Sequence, residues 1–174
     1  NARRPYHHKA DAGHRLTEHL IAQGCRSIVF LYGSVGSTGP QRHQGYLAAM
    51  LAAGLEPQAE PIAPHSERAR EVAAVLLQRR PLPDALVASS GLVLLGIAEA
   101  IKAAGIKVPA DTAIAGFDDL PWTSLMTPDI TVMRQPTNEI GQAAIRLLLE
   151  RVALPERAVR LVVLRGELLV RGST

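Results

Sequence analysis

From residue 10 to 119 the sequence alternates short apolar, β-branched runs with segments of helical periodicity. The runs are continuously apolar rather than alternating, which is typical of parallel strands covered by helices on both faces. The alternation therefore predicts βα units on a mostly parallel sheet. The four predicted strands span residues 27–32, 60–63, 85–89 and 112–117.

Capping and breaking residues place helices between these strands. The first two predicted helices end at Gly24 and Gly54, and a fourth runs from about 91 to 104 and stops at Gly105. Ser66 is the expected N-cap of the third helix, on which apolar side chains recur at helical spacing.

After Asp119 the organisation changes, because three prolines interrupt residues 121–136. Residues 130–133 predict one strand, and a helix with one apolar face begins near Pro136. Residues 160–170 predict a long final strand. One strand and one helix cannot form a core of their own, so this piece either packs on the first lobe or belongs to a second lobe.

Composition excludes several classes of protein. With 174 residues, 47% hydrophobic and 20% charged, the chain is expected to form a compact domain. Its net charge of +3 comes from scattered arginines, which argues against direct nucleic-acid binding by this segment. No apolar run reaches the roughly 18 residues of a membrane span. The single cysteine, Cys25, rules out an internal disulfide and fits a reducing cytoplasm.

Two sequence features raise an enzyme or metal-site alternative. A glycine-rich loop, Gly33 to Gly39, follows the first strand, where nucleotide-binding enzymes hold phosphate. Its spacing matches neither dinucleotide nor P-loop motifs, so a flexible connection is the better interpretation. His7 and His8 invite a metal site, but adjacent side chains in an extended chain point apart. We expect no catalytic set, no metal site and no cofactor.

A further set of signals lies in fixed order along the chain: Arg42 to Tyr46, Gly105 to Asp111, Gly116-Phe117-Asp118-Asp119, Thr127 to Thr131, Arg134-Gln135-Pro136, and Leu169 to Thr174. Each is weak alone. Their order and spacing together resemble the C-terminal half of a LacI/GalR-family transcriptional regulator. The resemblance implies the parallel-sheet lobe of a periplasmic-binding-protein-like two-lobe sensor, with only a strand and a helix of the second lobe.

The resemblance also implies domain boundaries. Residues 1–119 would be the C-terminal lobe of the effector-binding domain, residues 120–158 a crossover plus part of the N-terminal lobe, and residues 159–174 the returning strand. The sequence departs from the family where Ser90-Gly91 replaces an Asn-Asp pair, and where an Asp-Asn pair is not evident at His7-His8-Lys9. These departures put a typical sugar-hydroxyl network in doubt.

In open parallel sheets, ligands bind beyond the carboxyl ends of the strands. By resemblance, Arg42 and Asp118 are ligand contacts there. The alternative for Arg42 is a surface arginine packing on Tyr46. The alternative for Asp118 is a turn residue that accepts backbone amides, a role expected sooner for Asp119.

Four weaker ligand candidates complete the predicted site. Ser90 stands where relatives carry Asn. His65 lies near the position of an aromatic ring in relatives, although an exposed capping role is nearly as good an interpretation. Gln135 and Thr137 would close over the ligand from the other lobe.

The fourth predicted helix is apolar around most of its first two turns, which is more than one sheet surface can bury. Its surplus face predicts contact with a second copy of the chain, or else with the chain's own C-terminal strand. In the family, this helix and the segment after Asp119 form the dimer contact. The expected interface residues are Leu92, Leu95, Trp122, Leu125 and Met126.

The function implied by the resemblance is that of an effector-binding, dimerising region of a cytoplasmic transcriptional regulator. The effector would be a sugar or a related polar metabolite. Operator DNA would be bound only through a helix-turn-helix that precedes this region in such proteins. The alternative with the same fold is a periplasmic solute-binding protein of a sugar transporter, which a signal peptide in place of a helix-turn-helix would indicate.

Overall fold

In this computed structural model the chain is described from residue 8 to 63 and from 65 to 174. His7 and the side chain of His8 lie outside that description, so the metal alternative for this pair is not tested. The strands are β1 Ile28–Gly33, β2 Gln58–Ile62, β3 Ala85–Ala88, β4 Ala113–Phe117, β5 Thr131–Arg134 and β6 Glu167–Leu169. The helices are α1 His8–Ala22, α2 Thr38–Ala52, α3 Ser66–Leu76, α4 Gly91–Ala104 and α5 Thr137–Ala153, with a 3₁₀ turn at Pro121–Ser124.

The six strands form one sheet in the order β2-β1-β3-β4-β5-β6. The first five are parallel, and β6 runs antiparallel to β5. The predicted α/β class is therefore confirmed. Because β1 is followed by β2 on one side and β3 on the other, the strand order reverses beside β1, which is where such sheets open a crevice for ligands.

Helices cover both faces of the sheet. Phe30 of β1 is buried against α1 and α2, in a cluster with Leu16, Tyr46 and Met50. Val29 and Leu31 are buried in the opposite cluster, whose members include side chains of α3 and α4. Both faces of β1 are thus apolar, which explains the continuous apolar run in its sequence.

The predicted ends of the helices agree with the structure. The fourth helix stops at Gly105, whose φ of 65° is the left-handed conformation that glycine adopts at little cost. The N-cap of the third helix lies one residue earlier than predicted. His65, not Ser66, is the N-cap, and neither side chain caps the helix by a hydrogen bond.

The strand expected in a second lobe belongs to the main sheet, so that expectation is wrong. β5 pairs with β4, Gly116 facing Val132, and the Val132 and Met133 side chains are fully buried. Pairing with the edge of β4 places β5 inside the sheet, where helices cover both faces. This position buries the apolar side chains on both sides of the strand. The following helix, α5, contains no buried residue.

The long final strand is also shorter than predicted. Only Glu167–Leu169 pairs with β5, which is itself four residues long. Residues 158–163 are exposed and irregular. An apolar run forms a strand only along the length of edge that a neighbour offers.

The chain end is tied to the starts of β4 and β5. The Ser173 hydroxyl donates to the carbonyl of Ile114 at 2.6 Å and accepts the amide of Thr131 at 2.8 Å. Arg171 pairs with Asp119, with 2.8 Å between Nη2 and Oδ1. Asp119 therefore holds the C-terminal segment through its side chain, instead of forming the backbone turn expected of it.

Across the described residues, each helix is either too short or too polar to cross a membrane.

Candidate functional site

A buried arginine stands beside the reversal in strand order. Arg42, on α2 after β1, is only 3% exposed, and its Nη1 donates to the carbonyl of Ser89, the residue after β3, at 2.6 Å. Its guanidinium carbon lies 3.9 Å from the ring centroid of Phe117, the last residue of β4. The surface alternative for Arg42 is therefore wrong. The side chain contacts the carboxyl ends of two neighbouring strands, β3 and β4.

The guanidinium is poorly compensated for so deep a position. Its Nε has no hydrogen-bond partner among the described residues, and no carboxylate there lies within salt-bridge distance. Burial lowers the pKa of Arg42, and the nearby Asp118 charge partly opposes that shift. The group keeps its proton at neutral pH, so the site holds a buried positive charge that a ligand oxygen can pair.

Asp118 follows β4 directly and has a φ of 73°, a left-handed conformation that Asp and Asn tolerate better than most residues. Its Oδ2 accepts the backbone amide of Gly91, the first residue of α4, at 3.1 Å. Its Oδ1 accepts a hydrogen bond from the side-chain amide of Gln135. Asp118 thus performs the backbone-amide role considered as its alternative, while its half-buried carboxylate remains at the predicted edge.

Arg42, Phe117 and Gln135 line one hollow of about 280 Å³. Lys9 of α1 also lines it, and its Nζ donates to the Thr38 hydroxyl at 2.9 Å. The opposite wall is apolar and comes from one face of α5 and the segment after it: Ile140, Ala143, Ala144, Leu147, Val162 and Leu164. The hollow therefore combines cationic and amide donors on the sheet side with an apolar helix face.

The structure brings together three of the six predicted ligand residues: Arg42, Asp118 and Gln135. Ser90 is the N-cap of α4, half-buried, and does not line the hollow. His65 is exposed at the N-cap position of α3, where its side chain makes no capping hydrogen bond, and it does not line the hollow. Thr137 is exposed and lines a separate polar groove with Arg134 and Glu167.

Two residues at this edge were not predicted from the sequence. Ser89 fixes the geometry, since its carbonyl accepts from Arg42 and its hydroxyl accepts the Gly33 amide at 3.1 Å. Its position immediately after a buried strand was the available signal. Lys9 carried no such signal, because only the packing of α1 beside α2 brings it to the hollow.

The predicted interface residues lie on one side of the lobe. Leu92 is 56% and Leu125 81% exposed, while Leu95, Trp122 and Met126 are half-buried. The segment after β4 runs beside α4, since Leu120 touches the position of Gly91 and an apolar crevice joins α4 to residues 125–130. The C-terminal segment does not cover Leu92. A surplus apolar surface therefore remains on this face.

The remaining alternatives find no support within the part of the chain that is described. There, no group of three or more His, Cys, Asp or Glu side chains is placed to hold a metal ion. The two ends of the glycine-rich loop approach closely, since a Cβ at Gly39 would lie 2.2 Å from the Gly33 carbonyl oxygen, while Val35 between them is exposed.

The model of the periplasmic binding protein-like domain family matches residues 17–174. The HTH-type transcriptional regulator CelR of Thermobifida fusca is 35% identical over 166 residues, which are 92% of this chain and 48% of the relative. The ribose operon repressor of Escherichia coli K12 is 32% identical over 165 residues, 92% of this chain and 50% of the relative. The chain thus spans about half the length of these curated relatives.

Solved structures give the same result. A LacI-family transcription regulation repressor from Corynebacterium glutamicum is similar with a TM-score of 0.86 and 32% identity, over 95% of this chain and 64% of that chain. A complex of the transcriptional regulator CelR with cellobiose has a TM-score of 0.85 and 31% identity, over 95% of this chain and 52% of that chain. The chain therefore belongs to the periplasmic binding protein-like domain family and, within it, to the LacI-family regulators.

Proposed function

We propose that this chain binds a small polar metabolite, of the sugar class or related to it, and dimerises, as the sensing region of a cytoplasmic transcriptional regulator. Operator DNA would be bound by a helix-turn-helix outside this sequence. Residues 1–119 would form most of the C-terminal lobe and residues 159–174 its returning strand. Residues 120–158 would hold the crossover, with α5 as the part of the second lobe.

The observation that carries the proposal is the buried Arg42 guanidinium at the reversal in strand order, with Asp118 and Gln135 beside it. Burying an unpaired charge costs several kcal/mol or more, so such an arrangement is rarely kept without a partner. Ligand hydroxyl or acid groups can provide that partner through hydrogen bonds to the planar guanidinium. The CelR–cellobiose complex, 31% identical, supports a carbohydrate-like ligand for this fold.

The mechanism is a shift between conformations. A ligand that contacts both the strand ends and α5 binds most tightly when α5 is held over the hollow, so it increases the population of that arrangement. By linkage, the arrangement that the ligand favours alters the affinity of attached DNA-binding heads for two half-sites.

Asp118→Asn is the direct test in the full-length regulator. Asn keeps an oxygen for the Gly91 amide and tolerates the φ of 73°, so the fold is retained. The single oxygen of Asn cannot also hold the Gln135 amide, so Gln135 loses its anchor at the edge of the hollow, and effector binding should weaken roughly tenfold by calorimetry. The effector is first found by thermal-shift screening of sugars, polyols and nucleobases.

Asp84→Asn is the matched control. The Asp84 carboxylate accepts the amides of Arg26 and Ser27 at the opposite end of the sheet. Its replacement should leave effector affinity unchanged. Equal affinity of the wild type and Asp118→Asn would contradict the role given to Asp118.

Dimerisation is tested by Leu95→Glu on the face formed by α4 and the segment after β4. A charge there should convert dimers to monomers in sedimentation equilibrium, because an unpaired carboxylate would be buried in the interface. Leu51→Glu is the control, since Leu51 is 66% exposed on α2 and outside this face. A Leu95→Glu protein that sediments as a dimer would contradict the interface.

A transport receptor remains the second candidate for the same site. The two functions differ in the sequence that precedes this region, as a signal peptide there indicates transport and a helix-turn-helix indicates regulation. Operator binding that changes on addition of effector would decide for the regulator.

A further inference from the structure

The side chains around the hollow carry an excess of positive charge. Lys9 and Arg42 both line it, and none of its lining residues in the described chain is Asp or Glu. Gln135 adds an amide at the same wall. A neutral ligand would leave the charges of Lys9 and Arg42 without an opposite charge among the described residues that line the hollow.

Both cations have unused donors. The guanidinium of Arg42 uses Nη1 for Ser89, and its Nε finds no partner although the residue is 3% exposed. The half-buried Lys9 ammonium has three donors and one described partner, the Thr38 hydroxyl. Because nearly all buried polar groups are hydrogen-bonded, the unpartnered Nε of Arg42 points to a missing acceptor beside the guanidinium.

The nearest carboxylate does not supply that acceptor. Asp118 is close enough to stabilise the charge of Arg42, but both of its oxygens already accept hydrogen bonds, from Gly91 and from Gln135. It neither lines the hollow nor forms a salt bridge with Arg42. The cationic pair therefore stays open toward the hollow.

We infer that the effector carries an oxyanion, a carboxylate or a phosphate, which Arg42 and Lys9 hold between them while the rest of the molecule packs against the apolar face of α5. This inference rests on the proposed function, since it takes the hollow as the effector site. Arg binds two oxygens of such a group through its planar fork, and Lys adds a point charge. The effector is then a sugar acid, a sugar phosphate or another small acid, and not a neutral sugar.

The test compares matched neutral and charged compounds on the full-length regulator by calorimetry at constant ionic strength: ribose with ribose 5-phosphate, glucose with gluconate, and inorganic phosphate as the minimal probe. Unfolding midpoints are measured in phosphate and in chloride. Phosphate should raise the midpoint of the wild type more than chloride does. The gluconate and ribose 5-phosphate arms separate a carboxylate from a phosphate.

Lys9→Met should remove the phosphate-dependent rise and weaken binding of a charged ligand about 10- to 100-fold, as expected for loss of one charged hydrogen bond. Lys9→Arg should restore most of it. Lys102→Met is the control, because Lys102 is exposed on α4, on the other face of the sheet. The Lys102→Met protein should respond to phosphate as the wild type does.

Two results overturn the inference. One is a phosphate response that is absent, or that is the same in the wild type and Lys9→Met. The other is tight binding of ribose or glucose that Lys9→Met leaves intact and Asp118→Asn removes. That second result overturns the anionic effector and leaves the proposed function in place. Loss of every ligand response together with no effector-dependent DNA binding would reject both.

Discussion

The lobe built from β1 to β4 and the region from α5 to residue 166 differ sharply in burial. In the lobe, strands and helices share two apolar clusters, one on each face of the sheet. In the second region, α5 has no buried residue, and its outer face exposes Ile145, Leu148, Leu149 and Val152 by 62% to 71%. The lobe completes its own core, whereas α5 presents apolar surface on two sides.

The difference shows where each element gains its stability. Most of the stability of a helix in a protein comes from burying an apolar face, and the apolar face of α5 that lines the hollow is covered only in part. Large exposed apolar patches mark sites of contact with further protein or ligand. The lobe should therefore respond strongly to mutation, and α5 weakly.

Paired glycine substitutions should separate the regions most. A Cβ at Gly45 of α2 would lie 1.8 Å from the backbone oxygen of Ala10 on α1, so Gly45→Ala must push two helices apart. We expect a loss of about 4 kcal/mol or more in chemical denaturation, at the extreme of single substitutions. Gly141→Ala on α5 meets open space and should stabilise that helix by about 0.5–1 kcal/mol. Equal effects would contradict the contrast in packing.

Paired leucine truncations give the next largest effect. Leu94 of α4 is fully buried between the sheet and α3, and Leu94→Ala should cost about 2–5 kcal/mol by removing methyl groups and leaving a cavity. Leu148 is 62% exposed, so Leu148→Ala should change the stability by no more than about 0.5 kcal/mol. A Leu148→Ala cost near that of Leu94→Ala would mean that α5 is buried in solution.

The smallest expected effect is on pH dependence. The pKa of His43, which stacks on Tyr32 at 4.3 Å, lies below its usual value of 6.5 because the ring is partly desolvated, and its Nε2 has no described partner. Burial lowers the pKa of His19 in the same way. The unfolded chain therefore takes up protons first, and stability is lost as the pH falls below about 6.5.

The measurement is the unfolding midpoint between pH 7.5 and 5. His43→Gln should flatten part of the profile, while His65→Gln, at an exposed position, should not. The histidines of the chain all lie before α5, so helicity lost from α5 over this range would show that another group titrates.

The hydrophobic pattern predicts the strands of the lobe well. In β1, for example, the continuous apolar run from Ile28 to Leu31 indicates a strand that is buried on both faces. It fails for residues 160–170, where seven of eleven residues are Leu or Val, yet only three residues pair with a neighbouring strand. Composition does not reveal how much strand edge is available to a segment. That depends on contacts remote in sequence, as does the pairing of Asp119 with Arg171.

The site divides in the same way. Asp118 follows β4 directly and Arg42 lies on the helix after β1, so the order of elements along the sequence places both near the carboxyl edge. Lys9 and the apolar wall of α5 reach the hollow only through tertiary packing, and the sequence gives no spacing from which to infer them. The contact between Asp118 and Gln135 joins the ends of β4 and β5, which become neighbours only in the folded sheet.

That contact makes the position of α5 sensitive to events at Asp118. Gln135 precedes α5 by a single residue, Pro136, whose ring restricts the backbone between them. Loss of the hydrogen bond from the Gln135 amide to Oδ1 of Asp118 would release this tether at the start of the helix. The position of all seventeen residues of α5 therefore depends on one hydrogen bond to a single carboxylate oxygen, because Pro136 restricts the backbone between Gln135 and the helix.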